Sequence, residues 1–251
     1  MDFVMTTGAG RKGRFALTAL LAMALCACDP GPSADELQAM KAARAEAAAQ
    51  QQVDNFRQLK SAGRSDLALN LAEHLLATHP NSKAAASVRG EIDALRAEVN
   101  ATRETARLAA LWVYHDGESE EAGGRVRSAY IFSKSPIGPA QAGKEAPRAR
   151  MVLRRHPEWG DSVYLLSERG PFTCGTPCEL TLRFDDDPAR TVGGEIPSTG
   201  EHAIFVEDFA YFATHLADAD LVSIDVTLED GGAQTVEFEV GGYDPGTIGA
   251  P

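Results

Sequence analysis

The residues best placed to do chemistry are Cys174 and Cys178, which bracket Gly175, Thr176 and Pro177. Two thiols this close can form a small disulfide ring, and glycine and proline supply the turn that such a ring needs. Closing so short a ring stabilises a fold by roughly 2 kcal/mol in the chain-entropy account. The other chemistry open to the pair is redox or copper handling. A thiol–disulfide enzyme more often separates its cysteines by two residues at the start of a helix, whereas Glu179–Phe184 reads as a strand. A structural Cys174–Cys178 disulfide is the expectation, with copper or redox use as the alternative.

Other reactive groups are less organised. Asp185, Asp186 and Asp187 offer three carboxylates ahead of Pro188. A hard cation accepts such oxygens, but the run lacks the spaced pattern of a calcium loop, so a polar hairpin turn is expected. The six histidines are scattered: His74, His79, His115, His156, His202 and His215. No His-Glu-x-x-His or Gly-x-Ser-x-Gly pattern occurs, and the glycines lack phosphate-loop spacing. No catalytic residue, metal ligand set or cofactor is expected. An enzyme would have to assemble its site in space, from residues such as His156, Glu158, Asp185 and His202.

Charge is the next guide. The 251 residues carry a formal net charge of −12, which disfavours nucleic acid as a partner. The acidity is uneven. Residues 28–110 hold 10 basic and 11 acidic groups, residues 111–155 hold 8 and 5, and residues 156–251 hold 3 and 19. Arg148, Arg150 and Arg154 alternate along one strand face. Either they pair with acidic neighbours across the sheet, each exposed pair being worth little, or they form a basic stripe that meets an acidic partner or anionic headgroups. They are the expected partner-binding residues.

The N-terminus carries an address. Arg11, Lys12 and Arg14 precede Phe15–Ala27, an uncharged run too short to span a bilayer and suited to a signal peptide. The run ends Leu25-Cys26-Ala27-Cys28, which resembles a bacterial lipobox. That resemblance implies cleavage before Cys28 and lipidation of that cysteine. It implies a chain anchored to a membrane of the cell envelope, facing the periplasm. The mature chain then keeps Cys174 and Cys178 as an even pair in an oxidising compartment.

The elements that must hold these groups fall into two halves. Ser33-x-x-Glu36 is a capping box that starts a long helix ending near Gly63. Ser65 or Asp66 caps a second helix, stopped at His79-Pro80. Ala84, Val88, Ile92, Leu95 and Val99 mark a third, running unbroken from about Asn81 to Thr105. From about Leu108 nine short strands follow, separated by turn residues and interrupted by one helix over 207–217. The expected class is α+β: an N-terminal helical hairpin or stalk, then an antiparallel β-sandwich with one covering helix. The divisions are a signal peptide 1–27, a tether 28–33, a helical region 34–107, a sandwich 108–243 and a tail 244–251.

Two further resemblances bear on the halves. Gly63, Ala68 and Pro80 match in spacing the turn glycine, small packing residue and terminal proline of tetratricopeptide hairpins, although that family's preceding aromatic positions are missing. The second half is similar to a domain of many exported Gram-negative proteins with no assigned activity. The residues are Trp112 and Tyr114; Ala129, Tyr130, Ile131 and Ser133; Leu153, Arg154, His156 and Pro157; Cys174 and Cys178; Leu182–Asp186; Ile204 and Phe205; and Phe238, Val240 and Gly242. The resemblance transfers no catalytic residue. The expected role is a non-catalytic binding or scaffolding module with a protein partner in the envelope.

Overall fold

A computed structural model describes residues 31–140 and 142–249. Four helices come first: α1 (Ala34–Ser61), α2 (Ser65–Thr78), α3 (Lys83–Arg89) and α4 (Ile92–Ala109). The capping box forms, with Ser33 N donating to Glu36 Oε2 at 2.7 Å and Glu36 N donating to Ser33 Oγ at 3.3 Å. The first half of α1 is exposed, and its buried residues are Ala49, Val53 and Phe56. These meet Ala68, Leu69, Ala72 and Leu75 of α2 and Ala85, Val88, Leu95 and Val99 beyond it, in one small core rich in alanine. Gly63 adopts a φ of +70°, the left-handed position that glycine fills without strain.

Two details of the helices depart from expectation. Ser65 lies inside α2, and its Oγ donates to Glu98 at 2.7 Å instead of capping the helix. The third helix is broken at Gly90 and Glu91 into α3 and α4. Glycine costs about 1 kcal/mol relative to alanine within a helix, and Glu91 is held outward by an ion pair with Lys60 at the end of α1. The start of α3 is fixed from α1: the Glu46 carboxylate accepts from Ala84 N at 2.9 Å and Lys83 N at 3.1 Å. A negative group suits the positive end of a helix.

The second half is a ten-stranded antiparallel sheet. Its strands are β1 (Val113–Ser119), β2 (Gly124–Phe132), β3 (Ala149–His156), β4 (Gly160–Ser167), β5 (Phe172–Thr173), β6 (Glu179–Phe184), β7 (Arg190–Glu195), β8 (Ala203–Val206), β9 (Leu221–Leu228) and β10 (Gly232–Glu239). The order is β1-β2-β3-β4-β8-β7-β6-β9-β10, with the two-residue β5 added beside β9. The turn at β7 makes two layers of one path. Arg190–Gly193 pair with β6, while Gly194 and Glu195 pair with β8. Inward residues of both layers, among them Met151, Leu153, Leu165, Ile204, Leu182, Ile224 and Phe238, form a single core. The fold class is α+β, as the sequence pattern implies.

Short helices close the ends. α5 (Phe209–Leu216) is capped by Asp208 and buries Phe212 and Leu216 in the sheet core. α6 (Pro245–Ile248) lies in the stretch expected to be a tail. Asp244 caps it, Pro245 opens it, and Ile248 is buried against the core beside β1 and β2. Among the described residues no helix is long and apolar enough to cross a membrane.

Candidate functional site

The alternation of β3 sends Ala149, Met151 and Leu153 into the core and Arg150, Val152, Arg154 and His156 to the outer face of the first layer. Register places aromatic neighbours around the arginines: Tyr130 opposite Val152, Phe132 opposite Arg150, Tyr164 opposite Val152 on the other side, and Phe205 beyond Tyr164. The Arg150 guanidinium lies 5.1 Å from the Tyr130 ring centre. That of Arg154 lies 5.1 Å from Trp159 and 5.3 Å from Tyr164. Tyr164 and Phe205 meet at 4.9 Å with their rings tilted by 36°, and Tyr130 meets Phe132 edge-on at 5.8 Å. A guanidinium over a ring is held flat and gains cation–π attraction, while its edge donors stay free.

These arginines are not neutralised across the sheet. The ion pairs of these strands go to others: Arg125 and Arg127 to Asp116, and Arg155 to Asp161. Among the described residues no carboxylate oxygen lies within 4.0 Å of the Arg148, Arg150 or Arg154 guanidinium. Two polar atoms in directly paired positions, Arg154 Nε and Ser162 Oγ, are buried without a hydrogen-bond partner. Burial pushes the Tyr164 hydroxyl above the usual tyrosine range, opposed by the pull of Arg154 and Arg150 and aided by the negative charge of Glu201. The stripe is shorter than expected, because Arg148 precedes β3 and donates to the carbonyls of Ser133 and Lys134.

His156 is a turn organiser. Its Nδ1 accepts from the backbone N–H groups of Glu158 and Trp159, both at 3.2 Å, and its ring stacks on Trp159 at 4.0 Å. His202 sits by the opposite end of β4, where its carbonyl accepts from Ser167 N. β4 has eight residues, so about 20 Å separates its ends. The structure therefore does not bring His156 and His202 together. Asp185, at a φ of +46°, is also committed: its Oδ1 accepts from Asp220 N at 3.0 Å and Leu221 N at 2.8 Å, fixing the entry to β9. Among the described residues no cluster of three or more His, Cys, Asp or Glu side chains is arranged to hold a metal ion.

The disulfide forms as expected, with Cys174 and Cys178 joined at 2.06 Å and their Cα atoms 5.2 Å apart. Both sulfurs pack on the sheet core, and the Cys178 carbonyl accepts from Gly194 N at 3.0 Å at the bend of β7. Beside it lies an open cleft of about 420 Å³ lined by Glu179, Thr181, Asp225, Thr227 and Thr235. The double substitution Cys174→Ser/Cys178→Ser is expected to lower stability by about 2 kcal/mol, read as a fall of several degrees in the melting temperature. An unchanged melting temperature would remove the bracing role.

Sequence reasoning missed the aromatic floor. Its signal was present in the alternation of β4, where Tyr164 falls on the side opposite Val163 and Leu165. Cys28 lies outside the described residues.

The chain is thus an α+β protein whose β sheet presents an arginine-and-aromatic face. No protein-family model matches it, and no curated protein does. Among solved structures it is similar to the crystal structure of invasion associated protein b from Bartonella henselae. The identity is 14%, the match covers 52% of this chain and 85% of that one, and the TM-score is 0.32.

Proposed function

We propose that this chain is a lipoprotein of the bacterial cell envelope, anchored to a membrane through Cys28, and that it acts as a non-catalytic binding or scaffolding module. The observation that carries the binding role is the outer face of the first layer, where two unneutralised arginines lie over the exposed Trp159 and the half-buried Tyr130 and Tyr164. Arginine, tryptophan and tyrosine are the residues that dominate protein interfaces. Their grouping on one sheet face costs solvation that a purely structural surface has no reason to accept. The disulfide supports residence in an oxidising compartment. The basic, then apolar, then Cys28 order of the N-terminus supports the anchor.

Each half of the reading has its own test. Labelled palmitate should enter the wild-type chain and not Cys28→Ala, and equal labelling overturns the anchor. Amine-reactive cross-linking of intact cells should yield one discrete heavier species containing this chain. A chain that remains monomeric at every cross-linker concentration overturns the binding role.

A further inference from the structure

We infer that the docking surface of this module is the outer face formed by β2, β3, β4 and β8, and that its occupant is an acidic, extended polypeptide segment whose carboxylates engage Arg150 and Arg154. The inference rests on the binding reading above and adds the surface and the chemistry of the partner.

Complementarity of charge is the first argument. Arg150 and Arg154 project from the same side of one strand, four residues apart, a separation of about 13 Å. Neither guanidinium has a carboxylate within 4.0 Å among the described residues, although the neighbouring Arg125, Arg127 and Arg155 all do. The buried Nε of Arg154 and the buried Oγ of Ser162 add unused hydrogen-bonding capacity between the strands. An extended segment with acidic side chains four residues apart matches this spacing. Guanidinium and carboxylate pair in a bidentate geometry that an ammonium group cannot reproduce.

The surroundings say which class of acidic partner fits. Trp159 is 65% exposed and lies against Arg154, and Phe132 is 40% exposed and opposite Arg150. Residues on the face in register with the arginines include no lysine, while Glu195, opposite Phe205, and Glu201, whose charge reaches the Tyr164 hydroxyl, stand at its margin. Apolar anchors with a few arginines describe the centre of a protein interface. An anionic lipid surface is held by clusters of four to eight basic residues, and two arginines would face a chain of net charge −12. Residues 156–251 carry 19 acidic and 3 basic groups, and the acidic side chains among them outside this face repel an acidic partner. The two arginines of this face attract it, so the charge distribution contributes to orientation as well as affinity.

The chain contains a built-in reporter. Of its two tryptophans, Trp112 is 5% exposed in the core and Trp159 sits on the proposed surface. The full chain, reconstituted in phosphatidylcholine nanodiscs, is titrated with poly-L-glutamate, poly-L-glutamine and polygalacturonate while tryptophan emission is followed. A second preparation replaces part of the phosphatidylcholine with phosphatidylglycerol. Poly-L-glutamate should change the emission saturably and poly-L-glutamine should not. Arg150→Gln/Arg154→Gln should weaken the response at least about tenfold, with an unchanged melting temperature. Arg183→Gln, on the other layer, should bind as wild type does.

The proposal is overturned if poly-L-glutamate gives no saturable change, or if the double variant binds as wild type does. It is equally overturned if polygalacturonate or phosphatidylglycerol produces the stronger response, which would assign the face to acidic sugars or to lipid. Failure of the titration alongside a cross-linked species in cells discards this face and leaves the binding reading standing. Saturable binding without a cross-linked species keeps the face and removes the envelope partner.

Discussion

Replacing Phe56 by alanine is expected to unfold the helical region at 37 °C while the β sheet stays folded. Phe56 is the largest side chain of the helical core and is 1% exposed. Five of the twelve buried residues around it are alanines, so little else there fills volume. Truncating a buried phenylalanine costs about 3–5 kcal/mol. A helical unit of this size has only a stability of about that order to lose. The two cores share no buried residue, so loss of one need not propagate to the other. Circular dichroism of Phe56→Ala should show helical signal lost in an early transition and strand signal in a later one. A single transition shifted by less than about 1 kcal/mol would show that the helices draw their stability from elsewhere.

A different kind of loss is expected from Gly242→Ala. After β10 the backbone at Gly242 is pressed against the last turn of α4, where an added Cβ would overlap the Leu108 carbonyl group and the Ala109 nitrogen. Both obstacles are backbone, which cannot rotate away. Beside this contact Arg107 bridges Glu239 at 2.9 Å and Glu104 at 2.7 Å, and the Arg107 guanidinium is held above its ordinary basicity by those two hydrogen bonds. Forcing atoms into a packed contact costs roughly 1–3 kcal/mol, and here the cost falls on the join between the helices and the sheet. Gly242→Ala should therefore expose the end of α4, read as new tryptic cleavage after Arg107, with the melting temperature lowered by several degrees. Gly241→Ala is the comparison: its added Cβ meets chiefly the movable Asp220 side chain, and it should be cut slowly, as wild type is. Equal cleavage of all three chains would show that this contact does not hold the halves together.

Much of the sheet was legible because its strands alternate. β6 occupies Glu179–Phe184 as its pattern implies, and in β9 Val222, Ile224, Val226 and Leu228 all fall on one side and are all buried. β5 was not legible, because two residues carry no period. The break at Gly90 was hidden by an apolar stripe that runs on from α3 to α4, and the Lys60–Glu91 pair that fixes it joins residues 31 apart in sequence. α6 did leave a trace in its Asp244-Pro245 start, the pairing of a cap with proline at the first helical position.

The site was legible only in part. Alternation names Arg150 and Arg154, but the rings beneath them come from β2, β4 and the β3–β4 turn, and only the fold brings those together. Arg148 satisfied the same alternation and failed on position: it lies before the strand and meets carbonyl groups that close the loop. His156 was named for a site assembled in space, and only the fold of the β3–β4 turn shows its Nδ1 to be occupied.

The bend of β7 also bears on how the sheet is built in time. β1 to β4 follow one another in an antiparallel meander, joined by loops over residues 120–123, 133–148 and 157–159, and connections of this length close quickly. β8 reaches β4 from more than 30 residues away, and β9 must enter between β6 and β10 after α5 has been made. Such long-range pairings pay their loop entropy before they gain contacts, which slows them. The meander can therefore exist while the rest of the sheet is still open, and its arginines are set early over Tyr130 and Tyr164. Phe205 arrives only with β8, so the last ring of that face is put in place by the slow step that turns the corner at Gly193 and Gly194.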